Sequence, residues 1–138
     1  MDIEQAVVKL LTQDAGVAAI VGTRIFPGGI IPQGVTYPAM AYGMVNFTPI
    51  LELTAVNPAL SKRIRIWSAT EGMETYGDAK QLDAAVQACL SGYKGLVSNG
   101  QSPASSLDIQ GILPISSYDL FERETETHMV ISDFAVIA

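Results

Sequence analysis

Cysteine occurs once, at position 89, which excludes an internal disulfide and any cysteine-rich zinc site. Histidine also occurs once, as His128, so the sequence offers no framework for a metal centre. Basic residues are scarce: eight Lys and Arg stand against 14 Asp and Glu, for a net charge of -6. That sign is wrong for neutralising phosphates over a broad face and argues against sequence-specific DNA binding. It stays compatible with an acidic wall that DNA slides past without sticking. No apolar run approaches the ~20 residues of a membrane span, so no membrane partner is expected. The N-terminal "MDIEQAVVKLL" is acidic and its apolar run is too short for a signal peptide, which predicts a soluble chain made in the cytoplasm. Neither GxGxxG nor a Gly-Lys-Ser/Thr phosphate cradle is present; Gly28 and Gly29 follow Pro27 and need only a turn to explain them. No cofactor is implied.

What is present is hydrophobic. At 138 residues and 49% hydrophobic content, the chain suits one domain spanning 1–138; a chain of this size buries roughly 70% of the surface its unfolded form exposes. Only 16% of residues are charged. A surface so poor in charge leaves apolar area to cover, which favours self-association.

Ile3, Ala6, Val7, Leu10 and Leu11 recur at the spacing of a one-faced helix, with Asp2 and Gln5 placed as a capping pair. A short helical turn from Asp14 to Gly22 follows, then "TRIF" as an extended piece. "PAMAYGMVNF" and "LSKRIRIWSA" read as strands, the second alternating Ile64 and Ile66 with Arg63 and Arg65. Between them lies an apolar hairpin tip carrying Ile50, Leu51, Leu53 and Val56. "TYGDAKQLDAAVQACLSG" is a helix with Thr75 and Asp78 in capping-box spacing and Gly92 as its stop. "YKGLVSNGQSPASS" reads as a loop, and strands fit "LDIQGILPIS" and "THMVISDFAVI" with "SYDLFERETE" joining them. The order predicts an α+β fold: a small, mostly antiparallel sheet, two main helices on one face, and a long β-hairpin.

Chemistry has few candidates. A catalytic His128 needs a nucleophile and an orienting group brought to it, and no motif supplies them, so a sheet histidine is the simpler reading. Cys89 falls on an apolar helix face, where cysteine behaves as a small inert hydrophobe. "KRIR", from Lys62 to Arg65, reads first as the solvated face of a strand. The acids from Asp119 through Glu122, Glu124 and Glu126 to Asp133 read as one solvated edge rather than an acid-base pair. "NFT" at residues 46–48 has glycosylation spacing but no secretion signal to give it meaning.

The order of features is itself recognisable. "IEQAVVKLLTQDAGVAAIVGTRIFPGGIIPQGVTYPAMAYGMV", the strand "RIRIWSAT", the helix "TYGDAKQLDAAVQACLSG" and the strand "HMVISDFAVI" resemble the tail completion proteins of long-tailed bacteriophages. Tyr76, Asp78, Ala79, Leu82, Val86, Leu90 and Gly92 stand at the places of that family's helix. The motifs are turn and core residues rather than a chemical signature, and their order carries the likeness. The sequence departs from the pattern at the hairpin tip and in "FPGGIIPQG".

The resemblance implies a non-enzymatic structural protein that completes or terminates the tail tube and joins it to the head, similar to terminators that form hexameric rings around the DNA path. Implied partners are further copies of itself, the tail tube protein and the head–tail connector proteins, with DNA passing through without sequence-specific binding. The implied location is the virion tail at the head–tail junction. On that reading Phe26 and Pro27 are expected near a subunit boundary, and Ile50, Leu51 and Leu53 at a second interface. Glu122, Glu124 and Glu126 are candidates for an acidic, DNA-facing lumen. The alternatives are a head–tail stopper or adaptor, a cofactor-free small enzyme built on His128, and a dimeric ligand-binding domain.

Overall fold

Asp2 opens the first helix, α1 (Ile3–Gln13), through a reciprocal capping box. Its carboxylate accepts the Gln5 N–H at 2.8 Å while the Gln5 side chain accepts the Asp2 N–H at 3.0 Å. Ile3, Ala6, Val7 and Leu11 are buried, as their spacing requires. Asp14 then caps α2 (Ala15–Val21) by accepting the Val17 N–H, and Gly22 ends it at a φ of 57°. The computed structural model describes residues 2–49, 60–98 and 106–138.

Five strands form the main sheet: β1 (Ile25–Pro27), β2 (Ala39–Pro49), β3 (Leu60–Glu71), β6 (Gly111–Glu122) and β7 (Thr127–Ile137). They lie in the order β1-β2-β3-β7-β6, and β1 alone runs parallel to its neighbour. β4 (Gly95–Ser98) and β5 (Ser106–Ile109) make a separate antiparallel pair. Between β3 and β4 runs α3 (Tyr76–Leu90), with Ala79, Leu82, Val86 and Leu90 buried. The fold is α+β, with a mostly antiparallel sheet as the sequence implies.

All three helices pack on one face of the sheet. Met40, Ile64, Ile66, Ile112, Phe134 and Val136 project from five-stranded pairing toward the helices and meet Val7, Leu11, Leu82 and Val86 in a single core. Strand alternation sends the neighbouring residues to the opposite face, where Arg65, Trp67, Ala69, Ile131 and Asp133 lie in register. Val97 and Ile109 bring the small β4–β5 sheet to the same core.

Three expectations change. The segment read as a connector, "SYDLFERETE", is strand β6 as far as Glu122, so only residues 123–126 turn the chain into β7. Polar residues concealed it: most of β6 is exposed, which leaves little alternation of hydrophobicity. Likewise, part of the segment read as a loop is β4, paired with Ser106–Ile109. At the start of α3, Thr75 makes no side-chain cap. Residues Met73–Thr75 form a 3-10 turn, and the Thr75 hydroxyl donates instead within the Thr70–Gly72 corner, at 2.9 Å to the Thr70 hydroxyl and 2.8 Å to the Gly72 carbonyl.

Candidate functional site

The stretch after β1 folds across the face of the sheet that the helices leave free. Gly28 and Gly29 take φ values of 74° and 71°, the left-handed region that favours glycine. Gly29 lies against the indole of Trp67: a Cβ there would stand 2.7 Å from the Trp67 ring. Its N–H donates to the Tyr42 carbonyl at 3.0 Å, tying the loop to β2. Past this contact the chain arches away and leaves a cavity of about 280 Å³. Tyr37, Trp67, Glu71, Glu122 and Met129 are among its walls. Burial pushes the Tyr37 phenol above its ordinary pKa, the Glu71 and Glu122 carboxylates push it further, and a Thr127 hydrogen bond opposes them.

On the same face Arg65 and Asp133 form a two-pronged ion pair, Nε to Oδ1 at 2.8 Å and an η nitrogen to Oδ2 at 3.1 Å. The Asp133 hydrogen bond holds the Arg65 guanidinium above its usual pKa. Asp133 is buried. The acidic run is therefore divided among three settings. Asp119 faces α3, where it accepts from Lys80 and from the Tyr76 hydroxyl at 2.7 Å; those bonds draw its carboxyl below the ordinary value. Glu122 edges the cavity, and Glu124 and Glu126 are exposed in the turn to β7. Glu126 adopts a φ of 50°, and its carbonyl accepts the Gly72 N–H at 2.7 Å.

Phe26 is half-buried and Pro27 exposed on β1, opposite Ala41 and Tyr42. Ile50, Leu51 and Leu53 lie outside the described residues. His128 sits on β7 with its Nε2 facing the Met73 carbonyl at 2.9 Å, so that nitrogen carries a proton. Phe121 and Tyr76 close around its ring at centroid distances of 4.5 and 5.5 Å. This is the environment of a histidine that pins the 3-10 turn to the sheet. Cys89 is half-buried, donates to the Leu10 carbonyl at 3.4 Å, and is pushed up to about 11 by burial, with Asp14 adding to the shift. A thiol so tuned is a poor nucleophile at neutral pH.

The sequence reading missed the Gly29–Trp67 contact and the Arg65–Asp133 pair. Both join residues far apart in the chain, and local pattern carries no signal for either. Of the four exposed apolar side chains of β6, Tyr118 and Leu120 were also missed, because that half of the strand read as a connector.

The long rim strand β6 exposes Leu113, Ile115, Tyr118 and Leu120, the kind of surface that marks a site of interaction. Residues 5–138 match the family described as tail completion protein gp17, and the chain belongs to that family. It is a bacteriophage tail structural protein. Its fold is similar to that of a chain in the "Virion of native gene transfer agent (GTA) particle", with a TM-score of 0.76 and 18% identity over 98% of this chain and 92% of that chain. At that identity the likeness speaks to the fold. No curated protein matches the sequence.

Proposed function

We propose that the chain completes the end of the phage tail tube as a ring of identical subunits around the DNA path and joins the tube to the head. Family membership across residues 5–138 carries the reading. The similar chain's place in a phage-like virion is in keeping with it. Partners on this reading are further copies of the chain, six to a ring, together with the tail tube protein and the connector proteins of the head–tail junction. DNA passes through without sequence-specific contact, in accord with a net charge of -6. Exposed Glu122, Glu124 and Glu126 sit together near one tight turn, and a lumen lined by them would repel the DNA backbone rather than hold it.

Phe26 and Pro27 belong to a three-residue rim strand, and we place them at a subunit boundary. The hairpin tip with Ile50, Leu51 and Leu53 is the second contact. A Phe26→Ala protein that stays folded by circular dichroism should assemble poorly, and so should a Leu51→Asp, Leu53→Asp double variant. Normal tail joining by either removes that contact from the account. A ring imaged with Glu122, Glu124 and Glu126 on its outer rim removes the lumen.

A further inference from the structure

The geometry points to a specific joint between subunits: the edge of β6 that no described strand covers pairs, in one copy, antiparallel with the stretch of β2 that no described strand covers, residues 43–49, in the next copy. The inference rests on the ring reading and names the surface that builds it.

The sheet ends differently on its two sides. β6 runs the 12 residues Gly111–Glu122 with β7 as its neighbour, and among the described residues no strand pairs with its other edge; near its start the Gly92 N–H donates to the Ile112 carbonyl at 2.8 Å. On the far side β1 covers only Met40, Ala41 and Tyr42 of the 11-residue β2. The Met40 N–H and the Tyr42 carbonyl point outward to the segment holding β1. By the two-residue period Met44 is the next residue whose backbone groups face that side, beyond the end of β1.

Open edges are ordinarily blunted by charge, proline or a very short strand. Both edges here are long and only partly blunted: β6 carries Asp119, Glu122 and a bulge between Pro114 and Ser116, and β2 carries a bulge between Met44 and Asn46. Residues 43–49, "GMVNFTP", carry no charge, and their one proline is the last residue. β6 contains no Lys or Arg, and its Pro114 lies at a bulge near one end. Apolar exposure gathers on the same two strands. Leu113, Ile115, Tyr118 and Leu120 are exposed on β6, Tyr118 by 49%, and Met44 and Val45 are exposed on β2, Met44 by 48%. Among the described residues, six of the ten exposed large hydrophobic ones thus lie on the two rims.

Strand direction makes the rims complementary. β2–β3, β3–β7 and β7–β6 are all antiparallel, so β6 runs opposite to β2 across the sheet. A second copy set alongside in the same orientation therefore brings its β2 antiparallel to the first copy's β6. The contact is head-to-tail and leaves a fresh edge on each side; contacts of this kind close into rings when the rotation between copies allows. Twist between adjacent strands, about 20–25° in sheets generally, supplies rotation of one hand at each joint. A two-fold β6–β6 contact would leave the uncharged β2 stretch bare and could not extend to a ring.

The test uses two double variants of the full chain, Tyr118→Glu with Leu120→Glu on β6 and Met44→Glu with Val45→Glu on β2. All four side chains are exposed, and circular dichroism checks folding. Sedimentation velocity is run in buffer and with isolated tail tubes. Each variant alone should stay monomeric where wild type assembles, needing about 100-fold or more protein for half-assembly. An equimolar mixture should give a one-to-one heterodimer and nothing larger, since one intact joint remains and the two blocked edges repel. Wild-type-like assembly by either variant overturns the joint while leaving the ring reading in place. A dimer formed by the β2 variant alone overturns it in favour of a β6–β6 contact. Wild type that never assembles, with or without tubes, overturns the ring and the joint together.

Discussion

Replacing Gly29 with alanine tests how the loop after β1 is held, and Gly28→Ala is its internal control. Both residues have nearly the same φ, 71° for Gly29 and 74° for Gly28. Placing an L side chain in that region costs about 1–2 kcal/mol. A Cβ on Gly28 meets no atom of the described residues within 4 Å, so strain is its whole penalty. A Cβ on Gly29 stands 2.7, 3.0 and 3.1 Å from three carbons of the Trp67 indole. The ring must shift or the loop must lift, and overpacking of this kind adds roughly 1–3 kcal/mol. With an unfolding entropy of about 2.1 cal/mol/K per residue, 138 residues give about 3 °C of Tm for each kcal/mol. Gly28→Ala should then lose about 3–6 °C and Gly29→Ala about 6–15 °C. Trp67 is the single tryptophan, so the emission reports the surroundings of this one ring. The maximum should move to the red in Gly29→Ala and stay put in Gly28→Ala. Equal Tm losses with unchanged emission in both variants would refute the packing of the loop on Trp67.

Phe134→Ala, which empties a fully buried site between the helices and the sheet, should destabilise by about 3–5 kcal/mol in urea unfolding; a loss under ~1 kcal/mol would remove Phe134 from the core's centre. The Ser68 hydroxyl is buried without a hydrogen-bond partner among the described residues, so Ser68→Ala should leave Tm unchanged or higher, and a drop of several degrees would mean that the hydroxyl has a partner. Cys89 titrates near 11 in the fold, against 9.0 for the free group, so at pH 8 about one thiol in a thousand is ionised instead of about one in ten. Iodoacetamide should label it roughly 100-fold more slowly in the native protein than in urea, with native labelling climbing as pH rises toward 11; equal rates in both states at pH 8 would contradict its burial.

Local rules reached the elements whose signals are local. The Asp2–Gln5 capping box, the Asp14 cap and the buried face of α1 follow from three- and four-residue spacings, and the structure has all three. Strand β3 was legible because Ile64 and Ile66 face helices while Arg63 and Arg65 do not. Legibility failed where position in the sheet outweighed pattern. β6 is a rim strand, so Ser116, Ser117, Asp119 and Glu122 meet water or α3, and a strand with no buried stripe over most of its length looks like a connector. Thr75 and Asp78 had the spacing of a capping box, but the Thr70 hydroxyl and the Gly72 carbonyl offered Thr75 other partners. The neighbours of Gly29 and Asp133, Trp67 and Arg65, are assembled by tertiary contact alone.

The assembly reading also explains why a chain with so few charges places apolar side chains on its rims. β-Strand edges are hazards for a monomer and adhesive for a ring, and the same Leu113, Ile115, Tyr118 and Leu120 serve either description. What decides between them is whether the edges meet each other in order.

The most direct measurement is light scattering after size exclusion across a concentration series, repeated with isolated tail tubes and followed by negative-stain imaging. The account predicts rings of about six copies, free in solution or seated on tube ends. A chain that remains monomeric at every concentration and leaves the tube ends bare would contradict it.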